Sequence, residues 1–280
     1  MKRAVYIQRE VNEISTIEGL TSIFEAIASL HISQIKSKVT SSTNFFHELW
    51  KIYTQLRREG GKSAVPVRAA GRPALVAVTS DGGLIGDIDD RIIEAMLQQL
   101  GREQADIYVI GAHGATLLGR RGIRPVRVYP LPDTDTDFDF TELVEILQQR
   151  GQATVYYQTY ISLLRQEPAR IDLFSAVEEL SKGAAESDQI ISSRDYIFEP
   201  SLDEVIAYME SVMMEVALSQ VVLESKLAQY ASRFNAMSRA KTKAKDMRHQ
   251  LRLEYSRAKR SASDERIKEI VSAMKVMRQA

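Results

Sequence analysis

The stretch that decides the fold is residues 230–260, YASRFNAMSRAKTKAKDMRHQLRLEYSRAKR. Apolar residues recur in it every three or four positions, which is the spacing of one helix face, and most of the remaining positions are basic or small. A helix with such a seam needs a partner for it. The basic face is compatible with an acidic protein surface, a nucleic acid, an anionic membrane or plain solvent. The seam consists of Tyr230, Phe234, Met237, Ala240, Ala244, Met247, Leu251, Tyr255 and Ala258.

The same helical pattern extends far beyond this stretch. No glycine or proline follows Pro200, so the sequence predicts a single helix over Leu202–Gln279. The N-terminal segment 5–56 contains only Gly19 and no proline, and its apolar residues also have helical spacing. We therefore predict that the two terminal helices pair with each other. They should run antiparallel, because a separate domain lies between them in the sequence.

The middle of the chain changes to the pattern of an α/β domain. The runs ALVAVTS, DIYVIGA, VRVYP and ATVYYQTYISLL are rich in β-branched and aromatic residues, and helix-like stretches alternate with them. This alternation predicts a mainly parallel, Rossmann-like sheet covered by helices. The predicted fold is thus α/β, with a Rossmann-like central domain flanked by two long terminal helices that form an antiparallel coiled coil. We predict four parts, namely an N-terminal helix 1–58, a linker 59–73 rich in glycine and proline, the α/β domain 74–200 and a C-terminal helix 201–280.

Charge and composition narrow the classes of function. The 37 basic and 37 acidic residues balance, which disfavours a dedicated nucleic-acid-binding protein, yet residues 226–280 hold 15 Lys and Arg against 5 Asp and Glu. The chain has no cysteine, so disulfides and thiolate chemistry are excluded. No signal peptide is evident, and no stretch approaches about 18 uncharged apolar residues. We expect a protein on the cytoplasmic side with no direct membrane span.

Two glycine-rich motifs in the α/β domain are candidate ligand sites. The turn VAVTSDGGLIGDID lies between a predicted strand and helix, where a dinucleotide phosphate would bind, but it lacks GxGxxG. Its carboxylates Asp81 and Asp87 would also repel a pyrophosphate. The motif VIGAHGATLLGRRG contains His113 without a second histidine or a nucleophile at a defined spacing. A structural turn is the better interpretation of both motifs.

An acidic motif, DTDTDFDFTELVE, has the alternating aspartates of a calcium loop. It departs from the EF-hand pattern at Phe138, where glycine is needed, and at Val144, where a bidentate glutamate is needed. It is better explained as an acidic cap on a helix that begins near Thr141. We therefore expect no catalytic residue, no metal and no cofactor.

The sequence also bears on which partner the basic face of the C-terminal helix binds. Its aromatic residues lie on the apolar seam, where they pack rather than stack on bases, which disfavours nucleic acid. The seam is rich in alanine and methionine, as a close helix pair requires, which disfavours a membrane-surface helix. An acidic protein partner and plain solvation remain.

Four motifs, in order along the chain, resemble the gamma subunit of F-type ATP synthases. TSDGGLIGDID at 79–89 is similar to the family's Ser-Asp-Arg-Gly-Leu-Cys-Gly turn, and YIFEPSLDEVI at 196–206 to its Tyr-Ile-x-Glu-Pro-Ser segment. RFNAMSRAKTKAKDMRHQLRLEYSRAK at 233–259 and IKEIVSAMKVM at 267–277 resemble the two halves of its terminal helix. The chain departs from the family at 256–260 and 263–266, so the individual hydrogen bonds there are not carried over. The resemblance covers essentially the whole chain.

The resemblance implies a noncatalytic rotor in the central stalk. Its partners would be the alpha and beta subunits of the catalytic ring, the epsilon subunit and the c-ring, on the cytoplasmic side of the membrane. Complementary charge would let the basic face meet acidic loops of the ring. The implied partner-binding residues are Phe24, Arg233, Met237, Arg257, Lys259, Arg260, Asp264 and Glu269.

Two hypotheses from other classes of protein remain open. The first is a Rossmann-like nucleotide-binding enzyme with a helical oligomerisation arm, which would bind nucleotide at residues 82–86. The second is a coiled-coil scaffold or nucleic-acid-binding protein, whose affinity would fall steeply with salt.

Overall fold

A computed structural model describes residues 2–59, 71–101, 104–132, 139–150, 152–173 and 198–279. Five strands and five helices have assigned bounds within them. The helices are α1 (Lys2–Glu59), α2 (Ile88–Leu100), α3 (Ala112–Arg120), α4 (Thr141–Gln148) and α5 (Leu202–Gln279). The strands are β1 (Ala74–Val78), β2 (Asp106–Ile110), β3 (Arg127–Tyr129), β4 (Ala153–Tyr160) and β5 (Gln166–Asp172). The aspartates at 133, 135 and 137 lie outside the described residues.

The two long helices follow from local sequence. Helix α5 has 78 residues and begins directly after Ser201, whose Oγ accepts a hydrogen bond from the Glu204 backbone N–H at 3.3 Å. The negative charges of Asp203 and Glu204 in its first turn stabilise the helix, because they lie at the positive end of the helix dipole. Helix α1 has 58 residues. Both terminal helices predicted from glycine and proline spacing are present.

The sheet has the strand order β3-β2-β1-β4-β5. Strand β1 pairs in parallel with β2 and β4, and β2 pairs in parallel with β3. Strand β5 runs antiparallel to β4 at the edge, through a hairpin in which Ser162 N–H donates to Arg165 O at 3.0 Å. The predicted parallel Rossmann-like sheet is confirmed, and β5 adds an antiparallel strand at its edge.

Both faces of the sheet are covered, which explains why all five residues of β1 are buried. Because side chains alternate along a strand, Leu75 and Ala77 face the cluster formed with α2 and α3. Ala74, Val76 and Val78 face a second cluster, which includes Trp50 of α1. Helix α5 contributes Ile206, Met213, Met214, Ala217, Leu218, Val221 and Val222 to that second cluster.

Residue contacts divide the chain into two compact units. The α/β unit comprises residues 28–233, and the helix-pair unit comprises residues 1–27 and 234–280.

In the helix-pair unit the first part of α1 packs on the second part of α5. Lys241 Nζ lies 2.8 Å from Glu25 Oε2, and Arg248 Nη1 lies 3.0 Å from Glu18 Oε2. Seven residues back along α1 thus correspond to seven residues forward along α5, so the pair is antiparallel, as predicted. Its interior is formed by buried side chains from both helices, namely Ile7, Val11, Thr21, Met237 and Ala244.

The ion pair between Glu25 and Lys241 gives this unit a pH dependence. The hydrogen bond from Lys241 lowers the pKa of Glu25 below its ordinary value of 4.5. A depressed carboxyl pKa contributes stability above the ordinary pKa, and this stability is lost as the pH falls through the folded-state value. We expect Lys241→Met to lower the free energy of unfolding by about 0.5–1 kcal/mol at pH 7, since the pair is partly exposed, and to have no effect at strongly acidic pH.

The measurement is urea unfolding followed by circular dichroism at both pH values. Lys243→Met, at an exposed position two residues away, is the control and should change little at either pH. A Lys241→Met effect that persists unchanged at acidic pH would show that the lysine stabilises through packing.

One segment of α5 is apolar enough to cross a membrane by length and composition alone. An 18-residue window between Leu202 and Lys275 has a mean hydropathy of 1.4, and 39% of it is buried in the structure. Because α5 packs against the sheet between Ile206 and Val222, contact with the core accounts for its apolar composition.

Candidate protein-interaction site

The crevice where a Rossmann-like sheet binds ligands is filled by the protein's own polar side chains. In such sheets the ligand lies outside the carboxyl ends of the strands, where the strand order reverses, and here that point is between β1 and β4. Asp89 of α2 is fully buried there. Its Oδ2 accepts hydrogen bonds from Ser80 N at 3.0 Å and Ser80 Oγ at 2.8 Å, and its Oδ1 accepts one from Gln158 Nε2 at 2.6 Å.

Helix α5 completes this polar network. Gln158 Oε1 accepts hydrogen bonds from Ser225 Oγ and, at 3.3 Å, from Gln229 Nε2. Ser225 and Gln229 are both buried residues of α5. Carboxylate, amide and hydroxyl groups thus satisfy one another across three elements, as buried polar groups must. This arrangement disfavours the hypothesis that the chain is a nucleotide-binding enzyme, because its own side chains fill the crevice.

His113 joins the same network without forming a catalytic relay. Its Nδ1 lies 2.8 Å from Asp89 Oδ2, the oxygen that also accepts from Ser80. A serine nucleophile needs the imidazole between itself and the carboxylate, whereas here both Ser80 and His113 contact one carboxylate oxygen directly. The expectation that His113 has a structural role agrees with this geometry, although it lies in α3 rather than in a turn.

The glycine-rich turn after β1 is held by Asp81. Its Oδ1 accepts from Ala112 N at 2.7 Å and its Oδ2 from Leu131 N at 3.0 Å. Asp81 therefore ties the turn to the start of α3 and to the segment after β3. Sequence reasoning recognised Asp81 only as a charge that repels phosphate, and it did not single out Asp89 or Gln158. Their partners are too distant in sequence to be visible as a motif.

The predicted partner-binding residues occupy different environments. In the α/β unit, Arg233 lies over the ring of Tyr230, at 5.4 Å from the ring centroid, and Tyr230 stacks on His31 at 4.5 Å between centroids. In the helix-pair unit, Phe24 is exposed on α1, whereas Met237 is only 6% exposed. Met237 is therefore part of the interior between α1 and α5, which places its side chain away from the surface of this chain.

The remaining predicted residues are all exposed on α5. Lys259, Arg260 and Asp264 lie together along one shallow surface depression. Arg257 lies in a different groove, which α5 forms with Ala4 and Ile7 of α1. The three basic side chains of this cluster therefore line two different surface grooves. Glu269 lies further along α5.

The end of α5 carries an apolar stripe. At the register set by the two ion pairs, Lys2 at the start of α1 lies opposite Asp264, so the part of α5 after Asp264 has no described residue of α1 beside it. Its apolar side chains are consequently exposed. They are Ile267, Ile270, Val271, Met274 and Met277.

Comparison with known proteins identifies the family. A family model described as ATP synthase matches residues 4–277. The ATP synthase gamma chain of Mycoplasma capricolum subsp. capricolum is 23% identical over 280 residues, which cover 95% of this chain and 96% of the relative. The gamma chain of Symbiobacterium thermophilum is 25% identical over 279 residues, which cover 95% of each chain.

Solved structures agree at the level of the fold. A chain of the Euglena gracilis mitochondrial ATP synthase, in a structure of OSCP, F1 and c-ring, has a TM-score of 0.63 at 14% identity, covering 99% of this chain and 95% of that chain. A chain of the Tetrahymena thermophila mitochondrial ATP synthase central stalk and c-ring has a TM-score of 0.56 at 18% identity, covering 79% and 99%. Since the family model matches nearly the whole length, this chain belongs to the ATP synthase family, as a gamma chain.

Proposed function

We propose that this gamma chain is the noncatalytic rotor in the central stalk of an F-type ATP synthase. It couples ion flow through a c-ring to ATP synthesis or hydrolysis in a ring of alpha and beta subunits. The observation that carries the proposal is the family match over residues 4–277, which includes both long helices and the sheet. The filled crevice between β1 and β4 supports a noncatalytic role, because the Rossmann-like sheet offers no open nucleotide site there.

The proposed partners are the alpha and beta subunits, the epsilon subunit and the c-ring, and the proposed location is peripheral, on the cytoplasmic side of the membrane. The proposed roles follow the four parts predicted from the sequence. Helices 1–58 and 201–280 form the shaft, residues 59–73 are a linker and residues 74–200 form the α/β domain. The exposed residues among those predicted to bind partners are proposed to contact the ring, and Met237 is proposed to support them from inside the helix pair.

The helix-pair unit has the properties that transmission of torque requires. Its two helices are joined by a continuous apolar interior and by ion pairs between Glu25 and Lys241 and between Glu18 and Arg248. A packed pair resists bending and twisting better than a single helix, because side chains of one helix interlock with those of the other. The exposed basic side chains of α5 are then available to acidic surfaces of the ring as the shaft turns.

The direct test is purification from the host under mild conditions, followed by identification of the subunits that elute with the chain. We expect ring and c-ring subunits at fixed ratios. A chain that elutes alone, or that binds nucleotide with micromolar affinity when free of other subunits, would overturn the proposal.

The basic cluster on α5 gives a prediction about coupling. We expect replacement of Arg257, Lys259 and Arg260 together by alanine to leave assembly intact and to reduce ATP-driven ion pumping several-fold relative to ATP hydrolysis. Exposed ion pairs contribute only about 0–1 kcal/mol each, so single replacements should have mild effects. Ion pumping and ATP hydrolysis are measured on the same purified complex.

The matched control keeps the charges and changes only their shape, through Arg257→Lys, Lys259→Arg and Arg260→Lys in one chain. It should retain most of the coupling if charge matters. If the triple alanine variant pumps like the wild type, the cluster is a solvated surface and the rotor function must rest on other contacts.

A further inference from the structure

A small cavity remains in the α/β unit beside the filled crevice. Its volume is about 170 Å³, and it lies between the turn after β1, the segment after β3 and helix α5. Residues 80–82, Leu131 and Pro132 line it, together with four residues of α5 from Lys226 to Arg233. Small-molecule sites usually begin at about 300 Å³, so this cavity is too small for a nucleotide. It has room for a compact ligand with a few atoms.

Two cationic side chains line this cavity. Lys226 is only 2% exposed, and its Nζ donates a hydrogen bond to Pro132 O at 2.9 Å, which fixes the ammonium group at one wall. Arg233 lies about two helical turns further along the same face of α5. Asp81, the only carboxylate among the described lining residues, accepts backbone N–H groups on both oxygens, at 2.7 Å and 3.0 Å. The lining therefore carries an excess of positive charge, which an anion would neutralise.

The guanidinium group of Arg233 is held in position by a stack of rings. Its Cζ lies 5.4 Å from the centroid of the Tyr230 ring, and Tyr230 stacks on His31 with 12° between the ring planes. Stacking uses the flat face of a guanidinium group, so the N–H groups at its edge remain directed outwards in its plane. Within the described part of the chain, Arg233 makes no ion pair and no side-chain hydrogen bond. It thus offers a fixed pair of donors of the kind that binds oxyanions.

The other walls favour a small oxyanion over a polyphosphate. Ser80 and Gln229 are buried and are held in place by their hydrogen bonds in the network with Asp89 and Gln158. Gly82 leaves the turn open, since even an added Cβ there would meet no atom within 4 Å. A polyphosphate would exceed the volume and bring further negative charges near the carboxylate in the lining, where like charges repel each other. A single tetrahedral anion avoids both problems.

We propose that this cavity binds one inorganic oxyanion of the phosphate class. The Arg233 guanidinium group donates hydrogen bonds to it, and Lys226 supplies a second positive charge. Hydrogen bonds between charged groups are about twice as strong as neutral ones, so the bound anion would join the turn after β1 firmly to α5. The proposal goes beyond the rotor function and does not rest on it, because every lining residue belongs to the α/β unit of one chain.

The test measures binding of radiolabelled orthophosphate to the purified full chain by equilibrium dialysis at constant ionic strength. We expect one phosphate per chain, competition by sulfate, and no competition by ATP at the same concentration. Phosphate should also raise the midpoint of urea unfolding, because a ligand that binds only the folded chain stabilises it by the factor 1 + [L]/Kd. At a phosphate concentration of ten times Kd, this factor is about 11.

Two variants and a matched control assign the binding to this cavity. Arg233→Met keeps an apolar stem beside Tyr230 but removes the donors, and it should weaken phosphate binding by about tenfold or more. Arg239→Met is the control, because Arg239 is an exposed arginine of α5 that does not line the cavity, and it should bind like the wild type. Gly82→Asp adds a carboxylate where the turn has room for it, so it should abolish binding while leaving the urea midpoint in chloride unchanged.

Several outcomes would overturn the proposal. They are a wild-type chain that shows no saturable phosphate binding, an Arg233→Met or Gly82→Asp chain that binds phosphate like the wild type, and competition by ATP as strong as that by sulfate. A stabilisation by phosphate that chloride reproduces at equal ionic strength would show screening alone and would equally overturn it. The rotor function stands in all of these outcomes, because it is tested by the subunits that elute with the chain.

Discussion

Replacing Gly111 by alanine is expected to destabilise the α/β unit by about 3 kcal/mol or more, a larger effect than at any other glycine that the structure describes. Gly111 has a φ of 99°, and a Cβ there would lie 2.1 Å from Thr79 O and 2.9 Å from Ser80 O. Those atoms belong to the backbone at the end of β1, which is fixed by the hydrogen bond from Thr79 N to Ile110 O at 2.8 Å. The clash can therefore be relieved only by distorting the sheet.

Trp50 makes this prediction easy to measure. It is the single tryptophan of the chain and is buried in the α/β unit, so its fluorescence during urea unfolding reports on that unit. Gly122→Ala is the control, because Gly122 also has a positive φ, of 73°, but a Cβ there would meet no atom within 4 Å. Gly122→Ala should lower the free energy of unfolding only by the conformational strain of about 1–2 kcal/mol. Equal midpoints for the two variants would show that the turn at Gly111 adapts.

Removal of the Asp89 carboxylate is the second large effect that we expect. Asp89→Ala leaves the Ser80 N–H, the Gln158 amide and His113 without their acceptor in a buried site. Each unsatisfied buried donor costs about 1–3 kcal/mol, so we expect a loss of about 3 kcal/mol or more in the free energy of unfolding. The same Trp50 fluorescence measurement in urea applies.

The neighbouring residue provides the control for Asp89. Asp90 is also in the first turn of α2, but its side chain is 49% exposed and lies 3.4 Å from Arg121. Asp90→Ala should therefore cost less than about 1 kcal/mol. If both alanine variants unfold at the same urea concentration, the buried network does not stabilise the unit and water replaces the carboxylate.

Sequence periodicity predicts the parts of this fold that depend on neighbours in the chain. Helix α5 was predicted over its observed range, because Pro200 stops the preceding segment and nothing after it breaks a helix. The parallel strands were predicted from runs such as ALVAVTS, since strands buried on both faces are continuously apolar. The antiparallel direction of β5 was not predicted, because its sequence, QEPARID, is largely polar and its direction depends on the hairpin.

The features that were missed depend on contacts between distant residues. Asp89 meets Gln158 across 69 positions, and no spacing rule connects them. The seam of α5 looks continuous to Met277 in the sequence, but the register of the pair decides where it loses its partner. Which apolar residues of α1 remain exposed could not be predicted for the same reason, since periodicity gives the positions of apolar residues and not which of them α5 covers. Phe24 entered the predictions only through the resemblance to gamma subunits.

The part of α5 after Asp264 exposes apolar side chains that assembly can cover. This segment continues a long helix, so its helical conformation is already nucleated and does not require a partner. Its five exposed apolar side chains, from Ile267 to Met277, gain free energy only when another subunit covers them. Until then a free copy of the subunit exposes these side chains to water.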